Sequence, residues 1–493
     1  MSGNGNNHSS SHRIRLSPFD YHFLVTQRGE GRRDGCSFTC YYVLDLDGHP
    51  DGARLRASLR RAMATYPAVS GGVKYSLSRT RAFWEHNSKT DYADRAYRYH
   101  DLRDRCDWTA LVEAAIRKSI NTEWDLTRPP LVRLVHFDGP DGQSRVCLLW
   151  PHALMDAEGA HWFLRELSRL AEDRATDPPP GLLDTREPPD PLAGLSLRKR
   201  WRLFREGLDE QSQLSKMKTS HLATASPGDG AAHRFVVRLG SSEQFRRIHA
   251  NARHLMPNGR GLFATAAALN PIVRFLAACV LRALHRQYTR HGIGTDVYRI
   301  AYPMRVSTVA TPRPLTGNFI SVPTLCASAF EMNDMRMHVE QVHRQVTNFR
   351  RHRADVKQWA LLWMAGQLQP GLYRRLMCSA IGNTPIHSGF SYFDVGSDPR
   401  WTTLAGATIR RVWLGGVVSN PPGWNAVFCR YRDCMTFNLS WIDGVEMESL
   451  ANEYADLITD EVTHNWLPPS PQINGPEPDE EHAAACRTAS FGE

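Results

Sequence analysis

His152 and Asp156 stand four residues apart in the stretch VCLLWPHALMDAEGAHWFLREL. A histidine takes up and returns a proton near neutral pH, which suits it to general-base work. Spacing alone does not select this pair. His100 and Asp104, in AYRYHDLRDR, repeat it, and the chain has 21 histidines. Placement is what separates the two. The apolar run Val146 to Trp150 reads as a buried strand. After Gly159, Trp162, Phe163, Leu167 and Leu170 recur at helical spacing. His152 therefore falls where a strand gives way to a loop, a place where a rigid scaffold holds a reactive side chain.

The elements around this motif alternate. Residues 37–46 (SFTCYYVLDL) read as a strand, 53–66 and 108–121 as helices, and 130–137 and 145–150 as adjacent strands. The two Asp-Gly pairs of the turn DGPDGQ between the last two are a hairpin signal. Pro-, Asp- and Gly-rich residues 176–194 and the polar residues 217–232 read as linker. Between them, Leu197, Trp201, Phe204 and Leu208 recur at helical spacing among Arg198, Lys199, Arg202 and Arg205. Such a helix either lies on a membrane surface or packs over the junction of two halves with its arginines in water.

The second half opens with the strand HRFVVRL (233–239) and a helix starting near Ser241 or Ser242. A long apolar helix (about 265–290), the strand VYRIAYPM (297–304), the segment LTGNFISVP (315–323) and a helix from Met332 to Arg350 follow. NAVFCRYRDCMTFNLSWI reads as a hairpin turning at Arg432–Asp433. These alternations predict an α/β fold with a mixed sheet in each half. The division expected is a disordered segment over 1–12, an N-terminal subdomain over 13–175, a linker with the basic helix over 176–232, a C-terminal subdomain over 233–467 and a disordered tail over 468–493.

With 493 residues, 42% hydrophobic and 23% charged, the composition is that of a globular protein. The ten cysteines lack zinc-type paired spacing: Cys36 and Cys40 have no matching second pair. Free thiols, no metal and a cytoplasmic location are expected. The net charge of +9 fits either general solubility or acidic partners such as a phosphorylated cofactor, a carrier protein or an anionic membrane surface. Nucleic acid is not expected, because no RNP-like motif or zinc-finger spacing occurs.

Several segments resemble, in order, the chloramphenicol acetyltransferase-like superfamily of acyltransferases. This superfamily includes condensation domains of peptide synthetases and the wax ester synthase/diacylglycerol acyltransferases. LSPFDYHFL (16–24), YHDLRD (99–104), WDLTRPPLVRLVHF (124–137), PMRV (303–306), GNFIS (317–321), SYFDVG (391–396) and SWIDG (440–444) carry the likeness, which runs from about 16 to 460. PHALMDAEG (151–159) is similar to the family's His-His-x-x-x-Asp-Gly motif, with Pro151 at its first histidine and Ala157 at its glycine.

The resemblance implies two subdomains with an active-site tunnel between them. It implies acyl transfer from a thioester of CoA or of an acyl carrier protein, as co-substrate rather than bound cofactor, to a hydroxyl or amine acceptor. His152 would be the general base. Asp156 would brace the loop by pairing with an arginine, Arg305 or alternatively Arg313, unless it simply caps the next helix. Asn318 and Ser391 are polar candidates for holding substrate or the oxyanion. Pro151 and Ala157 favour a different class of function, a non-catalytic binding or scaffold protein that kept the fold.

Overall fold

The computed structural model describes residues 12–33, 38–75, 82–86, 91–173, 182–183, 190–217, 219–220, 222, 232–256, 271–307, 313–382, 386–396, 399, 401–418, 423–444 and 447–467. The expected disordered ends, apart from His12, and most of both linker stretches lie outside the described residues.

Twelve strands build two six-stranded sheets. In chain order they are β1 (Thr39–Asp47), β2 (Tyr97–Asp101), β3 (Arg133–Asp138), β4 (Gln143–Pro151), β5 (His233–Leu239) and β6 (Val297–Ala301). Then come β7 (Thr324–Ser328), β8 (Ser388–Asp394), β9 (Thr403–Leu404), β10 (Ala407–Gly415), β11 (Trp424–Tyr431) and β12 (Cys434–Ile442). The helices used below are α1 (Pro18–Arg33), α2 (Gly52–Thr65), α3 (Trp108–Ile120), α4 (Ala157–Ala171), α5 (Leu197–Lys216), α6 (Ser242–Leu255), α7 (Pro271–Arg290), α8 (Met335–Arg351), α9 (Ala354–Ala365), α10 (Pro370–Gly382) and α11 (Met447–Thr463).

The first sheet runs β9-β10-β1-β4-β3-β2 and the second β7-β6-β8-β11-β12-β5. Each is mixed, as expected: β2/β3 is parallel in the first, β6/β8 and β8/β11 in the second. The apolar run Val146 to Trp150 is the buried middle of β4, between β1 and β3. Its hairpin with β3 turns at Asp141 (φ 53°) and Gly142 (φ 69°), the paired positive φ that makes Asp-Gly a tight hairpin turn. The late hairpin turns at Arg432 (φ 57°). Helix starts follow their capping residues. Asp51 accepts from the first turn of α2, and Ser241 and Gln244 form a reciprocal capping box on α6.

The sheets do not divide where the sequence does. The segment 401–415, for which the sequence reading names no element, supplies β9 and β10 to the first sheet although it lies deep in the second half. An ion ladder across three strands fixes this register. Asp45 of β1 accepts from Arg145 of β4 at 2.8 Å and from Arg411 of β10 at 3.1 Å. At the far end of β10, Gly415 lies opposite Tyr41. A Cβ there would come within 2.2 Å of the Tyr41 hydroxyl, so only glycine fits. The two halves are thus joined covalently and by a shared sheet, and the His152 loop lies on that join.

Candidate active site

β4 ends at Pro151, paired with Thr39, and the His152 N–H donates to the Phe38 carbonyl at 2.8 Å. The chain then turns tightly. Leu154 N donates to the Pro151 carbonyl, and Trp150 Nε1 donates to the Met155 carbonyl at 2.9 Å. Asp156 is the N-cap of α4: Oδ1 accepts from Gly159 N at 2.9 Å. A five-residue loop is therefore clamped at both ends, with His152 at its head.

The clamp is completed from the second half. Gly317 N donates to the Leu154 carbonyl at 2.8 Å, and Asp156 N to the Gly317 carbonyl at 3.3 Å. Gly317 has φ +103°, a conformation glycine adopts without strain. Asp156 Oδ2 accepts from Phe319 N at 3.1 Å. Asp156 thus holds the loop both as a helix cap and as a clasp on the second half. Arg305 arrives at the same helix start, with Nη1 3.7 Å from Glu158 Oε1, and its backbone pairs with Ile320. Arg313 lies in the short strand Arg313–Pro314.

Removing the Asp156 carboxylate loses the cap and the bond from the Phe319 N–H. Asp156→Ala should lower the unfolding free energy by about 2–3 kcal/mol in denaturant titration. Asp156→Asn keeps an acceptor and should recover more than half of that.

Asn318, expected to hold substrate or the oxyanion, is instead fully buried and turned into the protein. Its Nδ2 donates to Asp20 Oδ1 and to the His152 carbonyl, each at 2.8 Å, which uses both amide hydrogens. Asn318 therefore braces the histidine's backbone. Ser391 stands half-buried in β8 opposite Val427, and among the described residues nothing joins it to the His152 loop. Trp424 and Trp441 face each other across β11 and β12 in the core of the second sheet. His100 is exposed and stacks on Phe137, so its spacing to Asp104 marks no second site.

Two residues with no role in the sequence reading complete the site, and both come from α1. Asp20 is buried at 2% exposure, and Oδ1 also accepts from Asn318 N at 2.8 Å. Its Oδ2 accepts from Ser17 N while Ser17 Oγ accepts from Asp20 N, a reciprocal cap on α1. Burial pushes the Asp20 carboxyl up to about 7, against the pull of its bonds from Asn318 and Ser17. The Ser-x-x-Asp of LSPFD was a visible capping signal, but nothing in it named Asn318 as the partner. Phe23 stacks on the His152 imidazole, with ring centroids 3.9 Å apart and planes 24° from parallel.

The imidazole itself is half-buried. Its Nδ1 is buried and has no hydrogen-bond partner among the described residues, which leaves Nε2 as the nitrogen that can meet a substrate. Burial lowers its pKa below 6.5, partly offset by its own backbone carbonyl, Asp156 and Asn318. Nearby His22, whose Nδ1 lies 3.0 Å from the Tyr373 hydroxyl, is pulled down to about 4 by burial and by His152. At neutral pH both rings are neutral, and His152 is in the form that accepts a proton. A separate cavity of about 570 Å³ beside α7 and α11 is lined by Glu461, paired with Arg282 and Arg286, and shares no residue with this site.

No protein-family model and no curated protein matches the sequence. Solved structures do match. The first condensation domain of the calcium-dependent antibiotic synthetase, in complex with a substrate analogue, is 14% identical. It covers 93% of this chain and 97% of its own at a TM-score of 0.67. The starter condensation domain of rhizomide synthetase, a mutant in complex with C8-CoA, is 12% identical over 92% of this chain and 97% of its own, at 0.62. The epimerization domain from the third module of tyrocidine synthetase B is 14% identical over 94% and 99%, at 0.58. At such identities the likeness is one of fold. It is the two-subdomain fold that the resemblance to the chloramphenicol acetyltransferase-like superfamily implied.

Proposed function

We propose, from a condensation-domain fold with a neutral, clamped histidine where its two halves join, that this chain is an acyltransferase. The acyl group comes from a thioester of CoA or of an acyl carrier protein and goes to a hydroxyl or amine acceptor. The observation that carries the reading is the His152 loop. Asp156 and Asn318 pin it from both halves, Phe23 covers one ring face, and burial keeps the ring a base.

In the reaction, His152 Nε2 takes the proton of the acceptor as its oxygen or nitrogen attacks the thioester carbonyl. The C–S bond then breaks and the proton passes to the departing thiolate. A thioester is already activated, so the protein's task is mostly to position two substrates. Arg305 and Glu158 lie at the start of α4, beside Asp156, and belong to the frame of the loop. Ser391 is kept as a substrate-orienting candidate on the second sheet.

The competing view, a binding or scaffold protein that lost turnover, rests on Pro151 and Ala157. Ala157 is the first residue of α4, where the ordinary helical backbone asks for no glycine. Pro151 is the last residue of β4, paired with Thr39, and its carbonyl accepts from Leu154 N within the loop. Both substitutions are accommodated.

The test is thiol release from acyl-CoAs and acylated carrier protein, with alcohol and amine acceptors, read with a dithiodipyridine reagent that works at acid pH. Release should depend on acceptor. Its kcat/KM should fall at acid pH with an apparent pKa below 6.5, because only neutral His152 accepts a proton and burial disfavours its charged form. Saturable thioester binding with no acceptor-dependent release would favour the scaffold reading instead.

A further inference from the structure

Helix α5 carries two stripes that meet different surroundings. Its inner stripe is fixed to the protein. Leu203 and Gly207 are buried against α9, where a Cβ on Gly207 would come within 2.8 Å of Leu361 Cδ1. Lys357 Nζ reaches Glu210 at 2.6 Å. The helix end is held by Arg299, whose Nη2 donates to the carbonyls of Leu214 at 2.8 Å and Met217 at 3.0 Å. The helix is therefore preformed and rigidly placed.

Its outer stripe has a different character. Leu197, Trp201 and Leu208 are 72%, 49% and 44% exposed. At about 100° per residue these three fall within roughly 40° of one another on the helix wheel. Phe204 lies beside them, its ring 5.1 Å from that of Trp201. Arg198, Arg202 and Arg205, all exposed, occupy the neighbouring sector away from α9. Arg202 Nε lies 3.6 Å from Glu206 Oε1, one turn on. Scattered exposed apolar residues need no explanation, but an aligned Leu-Trp-Leu stripe edged by three arginines on a fixed helix does.

We propose that this stripe docks on an anionic phospholipid surface. The leucines and the tryptophan would enter the interface between headgroups and acyl chains, and the arginines would meet the phosphates. Among the described residues no helix is long and apolar enough to cross a membrane. An acidic protein partner would match the arginines but gives less reason for a tryptophan and two leucines to stand in water beside them. The inference is independent of the acyl-transfer reading.

The experiment is co-sedimentation of the full chain with sucrose-loaded vesicles. One set is phosphatidylcholine, the other equimolar phosphatidylcholine and phosphatidylglycerol. The native protein should sediment with the anionic vesicles, and release in about 1 M salt, where screening shortens to ~3 Å. Replacing the arginines (Arg198→Gln, Arg202→Gln, Arg205→Gln) should weaken partition about a hundredfold, at roughly fivefold per cation. Replacing Leu197, Trp201 and Leu208 by Ser should abolish it. All six positions face water, so thermal melting should barely change, and the salt and lipid arms need no variant. Equal binding to both vesicle types, no binding to either, or a Ser variant that binds like the native chain would overturn the proposal. So would an acyl carrier protein that binds the native chain and not the Gln variant while vesicles bind neither.

Discussion

His152→Ala should slow acyl transfer to an alcohol by about 10²–10⁴-fold while the protein stays folded. The size follows from what the ring does. An alcohol is a poor nucleophile until its proton is leaving, and His152 Nε2 is the group on the loop able to take it. The loss should fall on kcat, because the ring meets the acceptor proton in the transition state and contributes little to holding the acyl chain. The acid limb of the pH profile should vanish with the ring. A neutral amine attacks without prior proton removal, so the same variant should lose less with an amine acceptor than with an alcohol. Folding should suffer modestly. The ring is half-buried, and its loss removes the Phe23 stack, worth about 1 kcal/mol. The backbone bonds that form the loop, from Phe38, Asn318 and Gly317, do not involve the side chain. Unchanged turnover with native-like melting would end the general-base assignment.

Much of this site can be read from the chain because it is local. Val146 to Trp150 is a continuous apolar run because β4 is buried on both faces. Asp141-Gly142 names its own turn, and the periodic run after Gly159 marks α4. These place His152 within a residue of the strand end. What could not be read depends on distance. Asp20 and Asn318 are 298 positions apart, and Asp45 and Arg411 are 366 apart. The donor that Asp156 meets at Phe319 is a backbone N–H, which any residue would supply. Asn318 could be seen to matter, but not which way it faced. Direction is set by the buried carboxylate of Asp20, and a buried charge is invisible until the fold shows what surrounds it. Helix α5 gave two readings because its sequence carries two stripes, one for α9 and one left in water.

Asn318→Ala should be the most destabilising single change in the site, by about 3 kcal/mol or more. The Asp20 carboxylate is buried, and its Oδ1 accepts from the Asn318 backbone and side chain. Truncation removes the side-chain donor, opens space and leaves the His152 carbonyl without that partner. Asn318→Asp should be worse near neutral pH, because it sets a second carboxylate against Asp20. The same network predicts a pH signature. The folded Asp20 titrates at about 7, far above 3.8, so the native chain holds a proton that the unfolded chain has lost between those values. Stability from this group is therefore fully present below about pH 3.8, falls as pH rises, and levels off above about 7. Its slope approaches about 1.4 kcal/mol per pH unit. His22 and His152, lowered by burial, act in the opposite sense, since their unfolded forms bind protons first. The raw melting curve mixes these trends, so the informative quantity is the native chain minus Asp20→Asn. That difference should decline from about pH 5 to about 7 and then flatten. A difference independent of pH would mean that Asp20 is ionised throughout, its bonds from Ser17 and Asn318 outweighing burial. The brace on His152 would then be a fixed charge instead of a titrating one.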